Sequence, residues 1–216
     1  GELPRANVAA DEGVIPRACF GNVVRCAVEL SVLDAVGRAW RVSAADILAD
    51  LPAAKGLIER VSEVRYSGVA TASRGLRQWR SALKMKLFGF RQVKVKGGAD
   101  GVDDVSFLRR MRRLLGAKVD LLLDANEAWQ PHEVIDRVNR LAAFGISSVA
   151  QPVRHADVGA LTGIRSQLSV PVMLDESLWC QADAEQAGAS STGDAFNLRI
   201  SKCGGLVACI QLAQFA

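Results

Sequence analysis

The chain has 216 residues, half of them hydrophobic, with a formal net charge of +4 and five cysteines. No stretch carries the roughly 18 uncharged apolar residues of a membrane span, and the first residues do not resemble a signal peptide. The cysteines are odd in number and lack metal-ligand spacing, so we expect reduced, mostly buried thiols in a cytoplasmic protein. The basic run at 109–113 lies in a helical pattern and predicts a solvated helix face, not a nucleic-acid site.

The first 63 residues predict helices only. Residues 21–40 form one amphipathic pattern, and a shorter helix follows with Ser43 as its N-cap. The apolar face of the first helix is predicted to carry Val24, Ala27, Val28, Val32 and Ala35. We therefore expect residues 1–63 to belong to a separate domain from the rest of the chain.

From residue 64 onward, strand-like and helix-like segments alternate. Strands are predicted within 63–70, 91–98, 118–129, 146–153, 170–177 and 195–205, and helices over 78–87, 102–115, 131–144, 157–168, 183–189 and from 206. Repeated β-α units with apolar strands predict an α/β fold with a parallel sheet. A repeat of about 25 to 30 residues favours a TIM-type barrel, and the glycine-rich loop of a doubly wound sheet is missing from the sequence.

Polar residues gather at the carboxyl ends of the predicted strands. They are Lys94 and Lys96, Asp124 and Asn126, Gln151, Asp175 and Glu176, and Asn197 and Arg199. In a barrel these ends form one mouth, where active sites lie. Each alone could be an ordinary strand end or helix cap. Together, two carboxylates suit a cation such as Mg²⁺, and two lysines suit abstraction of a proton next to a carboxylate.

These motifs resemble the enolase superfamily, in its mandelate racemase and muconate lactonising enzyme branch. VKVKGG resembles the K-x-K motif of the second barrel strand, LLLDANEAW the D-x-N motif of the third, and LDES the fifth. AQPV resembles the E-Q-P motif, and NLRISKCGG the N-x-K-x-x-K-x-G-G motif of the sixth strand. The resemblance implies a (β/α)7β barrel, with 64–216 as strands 1 to 6 and 1–63 as the helical part of the N-terminal capping domain.

The resemblance also implies a function. It predicts a divalent-metal-dependent enzyme that removes the α-proton of a small carboxylate substrate through an enediolate, as a racemase, epimerase, cycloisomerase or dehydratase. Lys96 is expected to be the base and Lys94 its electrostatic partner, with Asp124 and Asp175 as Mg²⁺ ligands. The expected substrate-binding residues are Asn126, Asn197 and Lys202. A homo-oligomer is expected, with no nucleic-acid or membrane partner.

Three features depart from the family pattern. Ala150 stands where the E-Q-P motif has a metal-ligand glutamate, so we expect weak or absent Mg²⁺, and Gln151 should point to the other face. Arg199 stands where a lysine is usual and cannot act as a base, but it could stabilise the enediolate or bind a substrate carboxylate through two hydrogen bonds. Lys202 should fall on the opposite strand face from Arg199. The chain also ends after the sixth strand, which suggests a fragment or completion by partner chains. The competing hypothesis is a catalytically silent barrel that serves in binding or structure.

Overall fold

The structure, a computed structural model, describes residues 21–59, 61–71, 76–99 and 101–216. The chain divides into two compact units. The first comprises Gly1–Leu57, Trp179–Gln181 and Leu198–Gln214, and the second Ile58–Leu178, Ala182–Asn197 and Phe215–Ala216. The predicted domain boundary between residues 63 and 64 stays a prediction. Among the described helices, none has both the length and the apolarity to cross a membrane.

The second unit contains a six-stranded parallel sheet in the order β1 to β6. The strands are β1 Ser67–Ala70, β2 Gln92–Lys96, β3 Asp120–Asp124, β4 Ile146–Ala150, β5 Val172–Leu174 and β6 Ala195–Phe196. Each strand pairs with the next one along the chain, as sequential β-α units require. The predicted parallel α/β architecture is therefore confirmed.

Nine α-helices lie among the described residues, and four short 3₁₀ segments join them. The helices are α1 Asn22–Trp40, α2 Ala44–Ala49, α3 Leu76–Leu87, α4 Asp104–Leu115, α5 Val134–Ala142, α6 Leu161–Ile164, α7 Gln181–Ser190, α8 Ile200–Cys203 and α9 Leu206–Ala213. The 3₁₀ segments are Pro52–Ala54, Pro131–Glu133, His155–Ala160 and Arg165–Gln167.

Helix α4 shows how an apolar stripe produces a helix against the sheet. Its residues Phe107, Leu108, Met111 and Leu115 recur at helical spacing, and all four are buried. Asp103 caps its start by accepting a hydrogen bond from the Val105 N–H. Arg109, Arg110 and Arg113 between them are exposed, so the solvated helix face predicted for the run at 109–113 is confirmed.

The predicted helix over 157–168 was wrong. The chain instead forms His155–Ala160 as 3₁₀, a single α turn at Leu161–Ile164, and Arg165–Gln167 as 3₁₀. Gly159 and Gly163 lie in this segment, and glycine weakens a helix by about 1 kcal/mol relative to alanine. Leu161 is its only fully buried α-helical residue, so burial does not offset that cost.

Helix α1 of the first unit does not bury its predicted valine face. Val24, Val28 and Val32 are 65%, 58% and 56% exposed, whereas Asn22 and Cys26 are buried. The Asn22 amide donates to the Lys202 carbonyl at 2.7 Å, and Glu29 accepts from the Leu206 N–H at the start of α9. Helix ends carry unpaired backbone groups. The polar side chains of α1 that pair with such groups in α8 and α9 therefore determine which face of α1 is buried. The predicted Ser43 cap of α2 is confirmed, with a capping box to Asp46.

The predicted strand over 195–205 is confirmed only at its first two residues, and its extension beyond them was wrong. Strand β6 stops at Phe196, and α8 begins at Ile200, immediately after Arg199. Arg199 and Lys202 therefore do not lie on one strand, and the prediction that they point to opposite strand faces does not apply. The Lys202 side chain is buried in the first unit. Gly204 ends α8 with a φ of 95°, in the left-handed region that glycine adopts readily.

Candidate active site

Strand alternation and register place the predicted site on one face of the sheet. Val93 and Val95 are fully buried on one side of β2, which sends Lys94 and Lys96 to the other. Lys96 is in register with Asp124 of β3, and Asp124 with Ala150 of β4. The lysines, the aspartate and the alanine therefore share one face at the carboxyl ends of three neighbouring strands.

The Lys94 ammonium lies between two aspartates. Its Nζ donates to Asp124 Oδ2 at 2.9 Å and lies 3.9 Å from Asp175 Oδ2. Both aspartate side chains are almost fully buried, and that of Lys94 is 23% exposed. Asn197 Nδ2 donates to the same Asp175 oxygen at 2.7 Å. The predicted metal ligands are thus held together by a cation that belongs to the protein.

Lys96 has different surroundings. It is exposed, and within the described part of the chain it forms no hydrogen bond or ion pair. Two residues of the same type, two positions apart on one strand face, are therefore not equivalent. The Lys94 ammonium is ion-paired with the two aspartates, whereas the Lys96 amine is accessible to a ligand.

A tight turn follows Lys96 and is fixed on both sides. The Gly97 N–H donates to the Asp124 carbonyl at 2.8 Å, and the Gly98 N–H donates to both carboxylate oxygens of Asp104 at 3.1 and 3.0 Å. Gly98 has a φ of +72°, and a Cβ there would lie 2.4 Å from the Cβ of Ala128. The turn therefore requires glycine, both for its backbone conformation and for space.

Asp104 is a buried carboxylate, 8% exposed, at the start of α4. Burial raises its pKa, and the hydrogen bonds from Gly98 oppose that shift. The residue connects the first turn of α4 to the turn after Lys96. The sequence alone gave no indication of this link, because Asp103 and Asp104 are both typical of a helix start.

The end of β4 carries no charge. Ala150 and Gln151 are both fully buried, and Gln151 has a left-handed φ of 38°. Its Oε1 accepts from the N–H groups of Asp175 and Ser177 at 3.0 and 3.1 Å. Its Nε2 donates to the Val153 carbonyl at 2.9 Å and to Ser177 Oγ at 2.6 Å. Gln151 is thus the residue whose role the sequence missed: it fixes the chain segment that carries Asp175.

The loop after β3 brings Asn126 to Glu176. The Asn126 backbone N–H donates to Asp124 Oδ1 at 3.2 Å, and its side-chain amide donates to Glu176 Oε1 at 3.3 Å. Burial raises the pKa of Glu176, and the neighbouring Asp175 charge raises it further. Asn126, predicted to bind substrate, is exposed beside Asp124, and that role stays a prediction.

The described residues do not fit the magnesium site that the family motifs imply. Across 21–59, 61–71, 76–99 and 101–216, no three His, Cys, Asp or Glu side chains are arranged to hold a metal ion. Two carboxylates are present, but the third position is the Ala150 methyl group. The Gln151 amide oxygen already accepts two backbone hydrogen bonds and is directed to them. Arg199 and Lys202 belong to the first unit, and their predicted roles stay predictions.

The parallel β-α order and the charged strand ends define a TIM-barrel-type α/β protein of the kind that carries active sites at its strand ends. The chain belongs to the family described as enolase C-terminal domain-like, whose model matches residues 77–216. Its relatives include epimerases and cycloisomerases of the mandelate racemase and muconate lactonising branch, which confirms the predicted family.

Individual relatives show how far the similarity extends. The chain is 34% identical to a hydrophobic dipeptide epimerase of Enterococcus faecalis over 131 residues, which cover 61% of this chain and 37% of the relative. It is 26% identical to a chloromuconate cycloisomerase of Cupriavidus necator over 98% of this chain and 56% of the relative.

A solved structure gives the same picture of the fold. The dipeptide epimerase of Cytophaga hutchinsonii, complexed with Mg and the dipeptide D-Ala-L-Val, superposes with a TM-score of 0.79 at 24% identity. The similarity covers 91% of this chain and 51% of that one. This chain therefore spans about half the length of the proteins it matches.

Proposed function

We propose that the complete protein is an isomerase or lyase that removes the α-proton of a small carboxylate substrate. The observation that carries the proposal is the unequal pair of lysines at the mouth. Lys94 is fixed on Asp124 and Asp175, whereas Lys96 is exposed on the same face. The family relatives support the reaction class, because their names describe epimerisation of dipeptides and cycloisomerisation of chloromuconate.

Each lysine then has a distinct task. The Lys96 amine, in its neutral form, accepts the proton from the substrate α-carbon, and the electron pair of the broken C–H bond moves into the substrate carboxylate to form an enediolate. The Lys94 ammonium lies on the same strand face as Lys96 and offsets part of the negative charge that develops on the substrate carboxylate. Asn126 and Asn197 supply amide groups at the same strand ends for binding the substrate. Mg²⁺ is proposed to bind weakly or not at all, since two carboxylates are present instead of three.

The identity of residue 199 favours a one-base reaction. Even-handed racemisation needs a proton acceptor on each side of the substrate carbon, and an arginine keeps its proton at ordinary pH. If Arg199 takes the position of the family's opposing lysine, it can hold charge but cannot accept the proton. Cycloisomerisation or elimination then fits better than racemisation. Lys202 is proposed to contribute to substrate binding.

Hydrogen–deuterium exchange in D₂O tests this function. The complete protein is incubated with each of two dipeptides that differ only in the configuration of the C-terminal residue, and with muconolactone, and exchange of the α-proton for deuterium is followed by NMR. Exchange of one configuration only is expected, with loss in Lys96→Met and retention in Lys118→Met, which removes an exposed lysine outside the site. Equal exchange of both configurations, surviving Lys202→Ala, would show that a second base is present. No exchange of any probe would favour the silent barrel.

Two other expectations remain proposals. The family resemblance implies a homo-oligomer and a cytoplasmic location. Light scattering of the purified complete protein measures the first, and a monomer at all concentrations would contradict it.

A further inference from the structure

The strand ends form a cation site with an unusual composition. Asp124 and Asp175 direct their Oδ2 atoms toward one point, and the Lys94 Nζ lies 2.9 Å from the first and 3.9 Å from the second. The carboxylates are buried, so their charges are costly unless a cation compensates them. Lys94 supplies a cation within ion-pair distance of both.

Neighbouring groups also donate hydrogen bonds to these carboxylates. Asn197 donates to Asp175 Oδ2 at 2.7 Å, and the Asn126 N–H donates to Asp124 Oδ1 at 3.2 Å. Ammonium and amide donors thus hold carboxylate oxygens that would otherwise be available to coordinate a metal ion. A divalent cation placed between the two Oδ2 atoms would meet the Lys94 ammonium at close range and would have to displace it.

Position 150 points in the same direction. The Ala150 methyl group is fully buried in register with Asp124. It offers a divalent ion neither an oxygen ligand nor a negative charge to balance Lys94.

From this geometry we infer that the Lys94 ammonium takes the place of the divalent cation in this chain. The paired aspartates serve as a binding site for a tethered, singly charged cation rather than for Mg²⁺. This inference concerns the resting charge arrangement of the mouth. It stands or falls separately from the proton-transfer function proposed above.

Thermal unfolding with and without millimolar MgCl₂ tests the inference in three proteins: the unaltered chain, Lys94→Met and Lys118→Met. Methionine keeps most of the length of lysine but leaves the two aspartates without their ammonium. Ligands that bind only the folded state raise the unfolding midpoint. We expect no Mg²⁺-dependent shift for the unaltered chain or Lys118→Met, and a clear upward shift for Lys94→Met. Calorimetry should show a gain of at least about tenfold in apparent Mg²⁺ affinity for Lys94→Met. The same gain is expected for Ala150→Glu, because it supplies a third carboxylate.

A Mg²⁺-dependent stabilisation of the unaltered chain would overturn the inference, and this measurement needs no variant to fold. The inference also fails if Lys94→Met folds and gains no affinity for Mg²⁺, because the aspartates would then not form a cation site. The deuterium-exchange result does not enter either criterion.

Discussion

The carboxyl end of β4 differs from those of its neighbours β3 and β5. The neighbours carry Asp124 and Asp175, whose charges meet at Lys94. The end of β4 carries a methyl group and then Gln151, which makes four neutral hydrogen bonds to residues 153, 175 and 177. A strand that has lost its charged residue can thus still fix the geometry of the charged residues beside it. Variants of these residues separate the positioning role from the charge-bearing role.

Gly98→Val should produce the largest effect, because it disrupts the turn that follows Lys96 at the end of β2. A side chain at Gly98 combines a φ of +72° with a Cβ only 2.4 Å from that of Ala128. We expect a loss of about 3 kcal/mol or more in the free energy of unfolding, measured by urea denaturation. Gly159→Val is the matched control, because nothing lies within 4 Å of a Cβ added at that position. Equal stability of the two variants would show that the turn after Lys96 is not constrained.

Gln151→Leu should come next, since it removes the positioning role from β4. The variant leaves the Asp175 and Ser177 N–H groups without their buried acceptor. We expect a loss of about 2–4 kcal/mol in unfolding free energy. Gln167→Leu controls for the change of residue type at an exposed glutamine whose side-chain amide donates to the Gly163 carbonyl. A cost below that of the control would mean that Gln151 does not hold the end of β5.

Asp104→Asn should give the smallest effect, visible mainly in its pH dependence. Burial raises the pKa of Asp104 in the folded protein, so its stabilising contribution is greatest below the pKa of the unfolded chain and is lost as pH rises through the raised value. The asparagine variant has no such loss. Its stability relative to the unaltered chain should therefore increase as the pH is raised through this window, measured by denaturation at several pH values.

Asp136→Asn provides the control for Asp104→Asn. It removes one negative charge from an aspartate whose side chain is 70% exposed. If the stability of Asp104→Asn relative to the unaltered chain falls as pH rises, the assigned sign of the pKa shift is wrong.

The sequence predicted the sheet better than the helical regions, and the reason is physical. In β2 the alternation of Val93, Lys94, Val95 and Lys96 has one structural solution, because a strand has only two faces. Parallel β-α units then bring successive strand ends together, so the placement of both lysines and Asp124 on one face followed from the pattern. The prediction failed where a long-range polar contact decided the outcome. Helix α1 turns Asn22 and Glu29, not its valines, toward its neighbours in the first unit.

The candidate site could be predicted only in part for the same reason. Residue types at strand ends identified the charged residues. They could not show that Gln151 would reach the backbone of Asp175, because the left-handed φ of Gln151 interrupts the alternation on which the prediction rested. Nor could they show which lysine is paired and which is exposed, since both lie on the same strand face.

Whether Lys94 replaces the divalent cation is tested most directly by a crystal structure of the protein grown with Mn²⁺, whose anomalous scattering identifies a bound ion. We expect no anomalous peak between Asp124 and Asp175, with the Lys94 Nζ in contact with both carboxylates. We also expect a peak at that position in crystals of Ala150→Glu. An Mn²⁺ ion bound by Asp124 and Asp175 in the unaltered protein, with Lys94 displaced, would contradict the replacement.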